Sequence, residues 1–545
     1  MSRYEAQKRD GLARIGIYEE GGTTVSLPAA LDTGALFPSL RERAFSNVPL
    51  SADPAFVRDY FSPGEGQPVA VHPIAPPAVK SGDCALVANW HTALKNPRNY
   101  ATWLAALKES VPPDAAWYAP GAALPSTACL LAYSGFDLFD YRAVDLASAQ
   151  RIFCLPEGGF PASIMATGVC GCEGCRDGDL IRHNRLALDR ELALIRHYIE
   201  AGRLRELMES RCRTDAAQVG ILRFLDRNYA LMERSLPVVR AVPMLAATAE
   251  SQNRAEIRRF ADRVIERFVP TRTDVAVLLP CSARKPYSLS RSHRLFMNTV
   301  DRRAHELIVT SPLGLVPREL ERVYPAGHYD VPVTGYWDRE ECAFIADILA
   351  RYFAAHPYRR VIAHLEGGAL TVAEMAAEAC GIELEVTCHG HPTTPGSLRA
   401  LAAALEGERR VQTDMVRGTV SWQFATDIST KGLQVRGRSM QMAVLRGKQQ
   451  LFSIDAGTGL LRPTFEGWGL IPEGYRVGID AFVPQGDVLA PGITACDPRI
   501  REGDEVLVEG PLAVATGRAM MGADEMLRSK RGVAVRVRKV KKLEG

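Results

Sequence analysis

Three cysteines stand within six residues, in Cys170-Gly-Cys172-Glu-Gly-Cys175. Thiolates at this spacing give three soft donors to one tetrahedral ion, and a histidine commonly completes such a zinc set. His183 and His197 follow closely in the chain, and both are candidates for the fourth position. Four protein donors leave no open coordination position, so the expected role is a structural Zn2+ and not a catalytic one. A second group is Pro280-Cys281-Ser282-Ala283-Arg284-Lys285-Pro286-Tyr287-Ser288-Leu289-Ser290-Arg291-Ser292-His293. It follows directly on an apolar run. A cysteine at a strand-to-helix turn sits near backbone N–H groups, and Arg284 and Lys285 add positive charge. Both effects are expected to lower the thiol pKa and make Cys281 a nucleophile. His293 is the expected proton carrier. Lys285 serves either as that positive charge or as a phosphate ligand, and Ser282, Tyr287 and Ser290 orient what binds.

These groups need elements to hold them. The run Asp274–Pro280 reads as a buried strand ahead of Cys281. Further runs, His305–Gly314, Arg360–Gly368 and Glu383–Gly390, alternate with the helical patterns Glu340–His356 and Thr371–Gly381. Strands alternating with helices predict an α/β domain with a largely parallel sheet, over about 270–408. Ligands in such sheets sit beyond the carboxyl ends of the strands, where Cys281 lies. Loop candidates that would close the site carry Asp330, Trp337 and Glu366. The chain before residue 265 mixes short strands, such as Cys84–Trp90, with helices at Asn99–Ser110 and Leu180–Gly202. Residues 409–471 show polar–apolar alternation without a helical period and predict a small β-rich domain. Residues 472–545, with short strands broken by Pro and Gly, predict a compact β-barrel.

Of 545 residues, 47% are apolar and 24% charged, which is the composition of an ordinary folded protein. The chain has no apolar run of membrane-spanning length, and Met1–Arg14 lacks the apolar stretch of a secretory signal. Twelve cysteines clustered at one point and otherwise scattered fit a reduced, cytoplasmic setting better than a disulfide scaffold. The formal charge is only +3, yet Arg528, Lys530, Arg531, Arg536, Arg538, Lys539, Lys541 and Lys542 crowd the last stretch. A basic face on a near-neutral chain suits a polyanion such as RNA.

Several of these motifs resemble known families. The C-x-C-x-x-C run with a histidine some twenty-odd residues on looks like the zinc site of tRNA-guanine transglycosylases, and by that match His197 is the fourth ligand. Ser134–Asp140 resembles the strand that ends in their nucleophilic aspartate, which places Asp140 there. The base motif Asp-Ser-Gly-Gly of those enzymes is absent, and Asn89-Trp90-His91 stands in about that part of the chain. Gly486–Ile493, Gly503–Gly510 and Val514–Met526 resemble a PUA domain in order and spacing. The Cys281 segment resembles the P-C-S-x-x-K-P-Y-x-x-S-x-x-H signature of the archaeosine synthase family, archaeal relatives of the transglycosylases. This resemblance spans nearly the whole chain. It implies a multidomain α/β protein: a reduced TIM-barrel-like transglycosylase-type domain with the zinc site (1–265), an α/β catalytic domain (270–408), a small β-rich domain (409–471) and a PUA RNA-binding β-barrel (472–545).

The activity implied is transfer of a nitrogen donor to the nitrile of 7-cyano-7-deazaguanine at position 15 of tRNA, giving an amidine. Implied partners are tRNA, an amine donor such as lysine, and a second enzyme that completes archaeosine. The transglycosylase likeness implies a homodimer. Two rival expectations remain: base exchange by a transglycosylase, and a non-catalytic tRNA-binding subunit.

Overall fold

The computed structural model describes residues 3–20, 22–32, 37, 55, 69–71, 79–87, 96–332, 336–437 and 442–543. Asn89, Trp90 and His91 lie outside the described residues. The chain divides into two units, Met1–Pro237 with Val477–Gly545, and Val238–Arg476. Among the described residues no helix is long and apolar enough to cross a membrane.

The first unit opens on a meander of β1 (Arg3–Asp10), β2 (Ala13–Glu20) and β3 (Thr23–Leu27). A five-stranded parallel sheet follows, made of β4 (Ala29–Leu31), β5 (Val69–Val71), β6 (Cys84–Val87), β7 (Ala116–Tyr118) and β8 (Leu138–Asp140). Its order is β4-β8-β7-β6-β5. β6, β7 and β8 are buried throughout, as parallel strands covered on both faces must be. A hairpin of β9 (Ile152–Leu155) and β10 (Gly158–Pro161) precedes the cysteine run, and helix α1 (Leu180–Glu200) follows it. Asp179 caps α1 by accepting from the Arg182 amide at 3.0 Å.

The second unit carries the predicted α/β sheet. After β11 (Met244–Leu245) come β12 (Val275–Pro280), β13 (His305–Thr310), β14 (Gly314–Pro317), β15 (Tyr329–Asp330), β16 (Arg360–Ala363) and β17 (Leu384–Val386). The sheet order is β14-β13-β12-β16-β17, parallel except for the edge strand β14. Central β12 alternates between two cores. Ala276 and Leu278 point into one with Tyr287, Leu307 and Ile345, while Val275, Val277 and Leu279 pack with Phe296 and Leu401 in the other. Truncating any of these leucines to Ala would cost about 2–5 kcal/mol. Helices α2 (Arg291–Val300), α3 (Arg339–Ala355) and α4 (Gly367–Cys380) connect the strands. The last begins four residues earlier than its apolar period predicts.

One expectation is corrected after residue 409. A sheet of β18 (Leu433–Arg436), β19 (Met442–Arg446), β20 (Gln449–Ile454) and β21 (Leu461–Pro463) is present, but helix α5 (Met415–Phe424) precedes it. Every residue of α5 from Gly418 to Phe424 is buried. A helix enclosed on all sides shows no amphipathic period, so the sequence pattern concealed it. The C-terminal segment forms a six-stranded sheet in the order β23-β27-β26-β25-β22-β24. Its strands are β22 (Arg476–Ile479), β23 (Val488–Leu489), β24 (Ile493–Cys496), β25 (Glu505–Glu509), β26 (Ala513–Ala519) and β27 (Val533–Lys542).

Candidate active site and metal centre

In the first unit Cys170, Cys172 and Cys175 gather with His183, and one donor atom from each lies within 4.8 Å of the others. Nδ1 of His183 sits 3.3 Å from Sγ of Cys172 and 3.2 Å from Sγ of Cys175. Its Nε2 lies 3.1 Å from the Cys154 carbonyl oxygen, and Phe153 stacks on the ring at 3.6 Å. That carbonyl accepts a hydrogen bond from Nε2–H and leaves the Nδ1 lone pair facing the thiols, as an outer hydrogen bond does for a metal-bound histidine. Three thiolates and one oriented imidazole fit a closed tetrahedral set. The fourth member is therefore His183 and not His197. His197 lies fourteen residues further along the same helix, a rise of roughly 21 Å at 1.5 Å per residue. Gly174 makes the early histidine reachable: a Cβ there would come within 2.3 Å of the His183 amide nitrogen. The cysteine loop thus rests directly on the first turn of α1.

Asp140 ends β8 and is 1% exposed. Its carboxylate accepts from the Tyr118 hydroxyl at 2.8 Å, the Gly121 amide at 3.0 Å, the Arg142 amide at 3.0 Å and the Arg142 guanidinium at 2.9 Å. Every side of the carboxylate is engaged by the protein itself.

Cys281 follows β12 in the second unit. The chain runs from β12 outward to β13 and then returns to β16 on the other side, so strand order reverses between β12 and β16. The crevice at such a reversal is where open α/β sheets bind ligands. Cys281 is exposed at its edge; strand register sets Thr310 beside it, and a charge on its thiol acts on the Tyr287 and Tyr329 hydroxyls. The residue reaches solvent, yet protein packed around its sulfur desolvates it and pushes the thiol pKa up, and the Thr310 hydroxyl and the Lys285 charge pull it only part of the way back. The net direction is opposite to the one expected from the turn and the nearby positive charge. Lys285 shifts downward because its amine is itself half-buried, with Cys281 and Asp330 opposing the shift. Its Nζ lies 3.9 Å from the centroid of the Tyr329 ring.

Two family models match the chain: a domain of unknown function (DUF5591) over residues 257–405, and a PUA domain over residues 477–541. Archaeosine synthase subunit alpha of Methanosarcina acetivorans is 38% identical across 85% of this chain and 81% of its own length. The archaeosine synthase of Haloferax volcanii is 36% identical across 98% of this chain and 99% of its own. The chain belongs to the archaeosine synthase family. A tRNA-guanine(15) transglycosylase of Methanothermobacter thermautotrophicus is more distant, 26% identical across 79% of this chain and 66% of that protein.

In this member of the archaeosine synthase family the remaining signature residues divide by position. Tyr287 is fully buried, and its hydroxyl lies 2.8 Å from that of Tyr329. Ser282 donates to the Arg284 carbonyl at 3.0 Å within the loop. Ser290 caps α2, accepting from the His293 amide at 3.1 Å. His293 is fully buried; its Nδ1 accepts from the Arg318 guanidinium at 2.8 Å, and Arg318 is paired with Glu306 and Glu321. Burial, then the Arg318 charge, hold its pKa down at about 3. An imidazole so held is enclosed and stays neutral. Asp330 is exposed, Glu366 precedes α4 at the carboxyl end of β16, and Trp337 packs against Gly368 at the start of that helix.

Thr310 and Tyr329 were missed in the sequence. Thr310 ends β13, and the register that pairs Pro280 with Val309 places it beside Cys281. Strand alignment alone carries that signal. Tyr329 sits on a two-residue strand that no pattern of apolar residues marks.

Proposed function

We propose that this chain modifies tRNA by adding a nitrogen donor to the nitrile of 7-cyano-7-deazaguanine at position 15, giving the amidine of archaeosine or its precursor. The observation that carries this reading is the thiol of Cys281, exposed at the switch point of an α/β sheet in a chain of the archaeosine synthase family. A nitrile has no leaving group on its carbon, so it is attacked by addition. The Cys281 sulfur adds to the nitrile carbon, and the π electron pair moves to nitrogen, which takes a proton; the product is a thioimidate. A donor amine then forms the C–N bond, the C–S bond breaks, and sulfur leaves as thiolate beside an amidinium. Lysine is the expected donor, with a second enzyme finishing the product.

The saturated hydrogen bonding of Asp140 favours this over base exchange, which needs a free carboxylate. The PUA segment is the proposed grip on tRNA, through exposed Arg536, Lys539, Lys541 and Lys542 on β27. The Cys3His group would hold zinc, which supplies a structural cross-link when bound. The α/β segment 270–408 carries the chemistry in this division of labour.

The test incubates tRNA containing 7-cyano-7-deazaguanine with the protein and lysine, glutamine or ammonium, then analyses the nucleosides by mass spectrometry. Loss of the nitrile nucleoside with gain of the donor's mass is expected for lysine. An unchanged nitrile nucleoside with every donor would favour a subunit that only binds tRNA.

A further inference from the structure

The proposed nucleophile lacks an obvious base, because His293 is enclosed and neutral. Around the sulfur, however, three buried hydroxyls form a line. The Tyr287 hydroxyl is 2.8 Å from that of Tyr329, and the Tyr329 hydroxyl is 2.6 Å from Oγ1 of Thr310. All three side chains are at most 4% exposed. Strand register sets Thr310 beside Cys281, its hydroxyl pulls the thiol pKa down, and that hydroxyl donates to the Ser311 carbonyl at 3.1 Å. One proton arrangement serves the whole line: Tyr287 donates to Tyr329, and Tyr329 donates to Thr310. The proton of Thr310 is then left to choose between the Ser311 carbonyl and the sulfur. Each donation polarises the next hydroxyl, so the end of the chain is the strongest donor.

Lys285 meets the same tyrosine from its face, with Nζ 3.9 Å from the ring centroid. An ammonium at that position is stabilised by the ring quadrupole, and more so because it is partly desolvated.

We propose that Lys285 is the base for Cys281, and that the Tyr287–Tyr329–Thr310 hydroxyl chain holds the thiolate that results. The S–H proton passes to the Lys285 amine, giving thiolate and ammonium. Thr310 turns its hydrogen from the Ser311 carbonyl to sulfur, and the ring of Tyr329 faces the ammonium. When the C–S bond forms, the ammonium returns its proton to the nitrile-derived nitrogen, so the thioimidate is neutral and the amine is restored. Tyr329 thereby steadies both products of one proton transfer. Thr310 and Tyr329 are positioning residues in this scheme. Burial disfavours each charged form singly, so the resting pair is neutral, and the hydroxyl chain and the tyrosine ring offset that cost when the proton moves.

The inference rests on Cys281 being the nucleophile, and its test is separate from that reading because it needs no tRNA. The full chain is alkylated with iodoacetamide from pH 6 to 10.5, and labelling at Cys281 is followed by peptide mass spectrometry. Lys285→Met is expected to slow labelling at pH 7.5 about tenfold and move the profile up by about one unit. Thr310→Val should slow it about fivefold, and Tyr329→Phe about twofold. Thr310→Ser, which keeps the hydroxyl, should restore the wild-type profile, which separates the hydroxyl from packing. Profiles of Lys285→Met and Thr310→Val that superimpose on wild type would overturn the proposal, as would a Thr310→Ser profile as displaced as that of Thr310→Val. Failure of Cys281 as nucleophile would appear elsewhere, as nitrile conversion by Cys281→Ala.

Discussion

Asp140 and Cys281 occupy equivalent places in their own sheets. Each stands at the carboxyl end of a parallel strand, β8 in one unit and β12 in the other. The surroundings are opposite. Asp140 is 1% exposed and accepts hydrogen bonds from a tyrosine, two backbone amides and an arginine. Cys281 is an exposed residue that makes no comparable set of hydrogen bonds among the described residues; the Thr310 hydroxyl and the Lys285 charge act on its thiol. A carboxylate with every lone pair engaged stabilises a fold, whereas a thiol with an open side can meet a substrate. Position at a strand end offers a nucleophile in both units, and the proposed reaction uses the one that holds fewer partners.

The largest effect expected from this contrast is on the framework of Asp140. The Cys3His group fixes the start of α1, and Asn184 on that helix donates to Ser148 and to the Ile152 carbonyl at 2.8 Å each. Ser148 belongs to the helix that follows Asp140 directly. Cys172→Ala should therefore lose bound metal and lower the first unfolding transition by on the order of 10 °C. The alkylation rate of Cys281, in the other unit, should not change. Stoichiometric metal in the purified variant, measured by atomic emission, would remove the Cys3His assignment.

A smaller stability difference separates the two residues themselves. Asp140→Asn turns acceptors toward donors and should cost about 2–3 kcal/mol in denaturant unfolding. Cys281→Ala removes an exposed thiol and should change stability by less than about 0.5 kcal/mol. Equal costs would mean that the two environments differ less than their contacts imply.

Acid sharpens the contrast from the side of the second unit. His293 is held at about pKa 3, and burial also lowers His328, His356 and His364. The unfolded chain binds protons that these folded imidazoles refuse, so stability is full above about pH 6.5 and falls as the pH drops. His293 alone contributes roughly 1.4 kcal/mol per unit down to its folded value. Thermal scans between pH 7.5 and 4 should show the second unit losing stability, and His293→Phe should flatten that slope.

The smallest effect concerns RNA. Replacing Lys539, Lys541 and Lys542 by Gln should reduce the salt slope of tRNA binding by about 2. An unchanged slope would move the phosphate contacts away from β27.

Much of the α/β unit was legible because its strands are unbroken apolar runs followed by helices with clear periods. Val275–Pro280, His305–Thr310 and Arg339–Ala355 fall where those patterns put them. Helix Met415–Phe424 was hidden by burial on every side. The three thiols of the metal group could be read from spacing, but the choice between His183 and His197 could not. It depends on Gly174 letting a loop touch the first turn of α1, which is a matter of three-dimensional approach. The signature around Cys281 marked the site, while the neighbours of its sulfur came from strand register and from a two-residue strand. Spacing also marked His293, but a motif cannot show that Arg318 and a closed core lie behind the ring.

The central claim is that Cys281, and not Asp140, carries the chemistry. It is tested most directly by treating tRNA that contains 7-cyano-7-deazaguanine with Cys281→Ala and with Asp140→Asn, each with lysine, and quantifying the nitrile nucleoside by mass spectrometry. The account predicts no conversion by Cys281→Ala and conversion within about tenfold of wild type by folded Asp140→Asn. Conversion by Cys281→Ala together with an inactive but folded Asp140→Asn would contradict it.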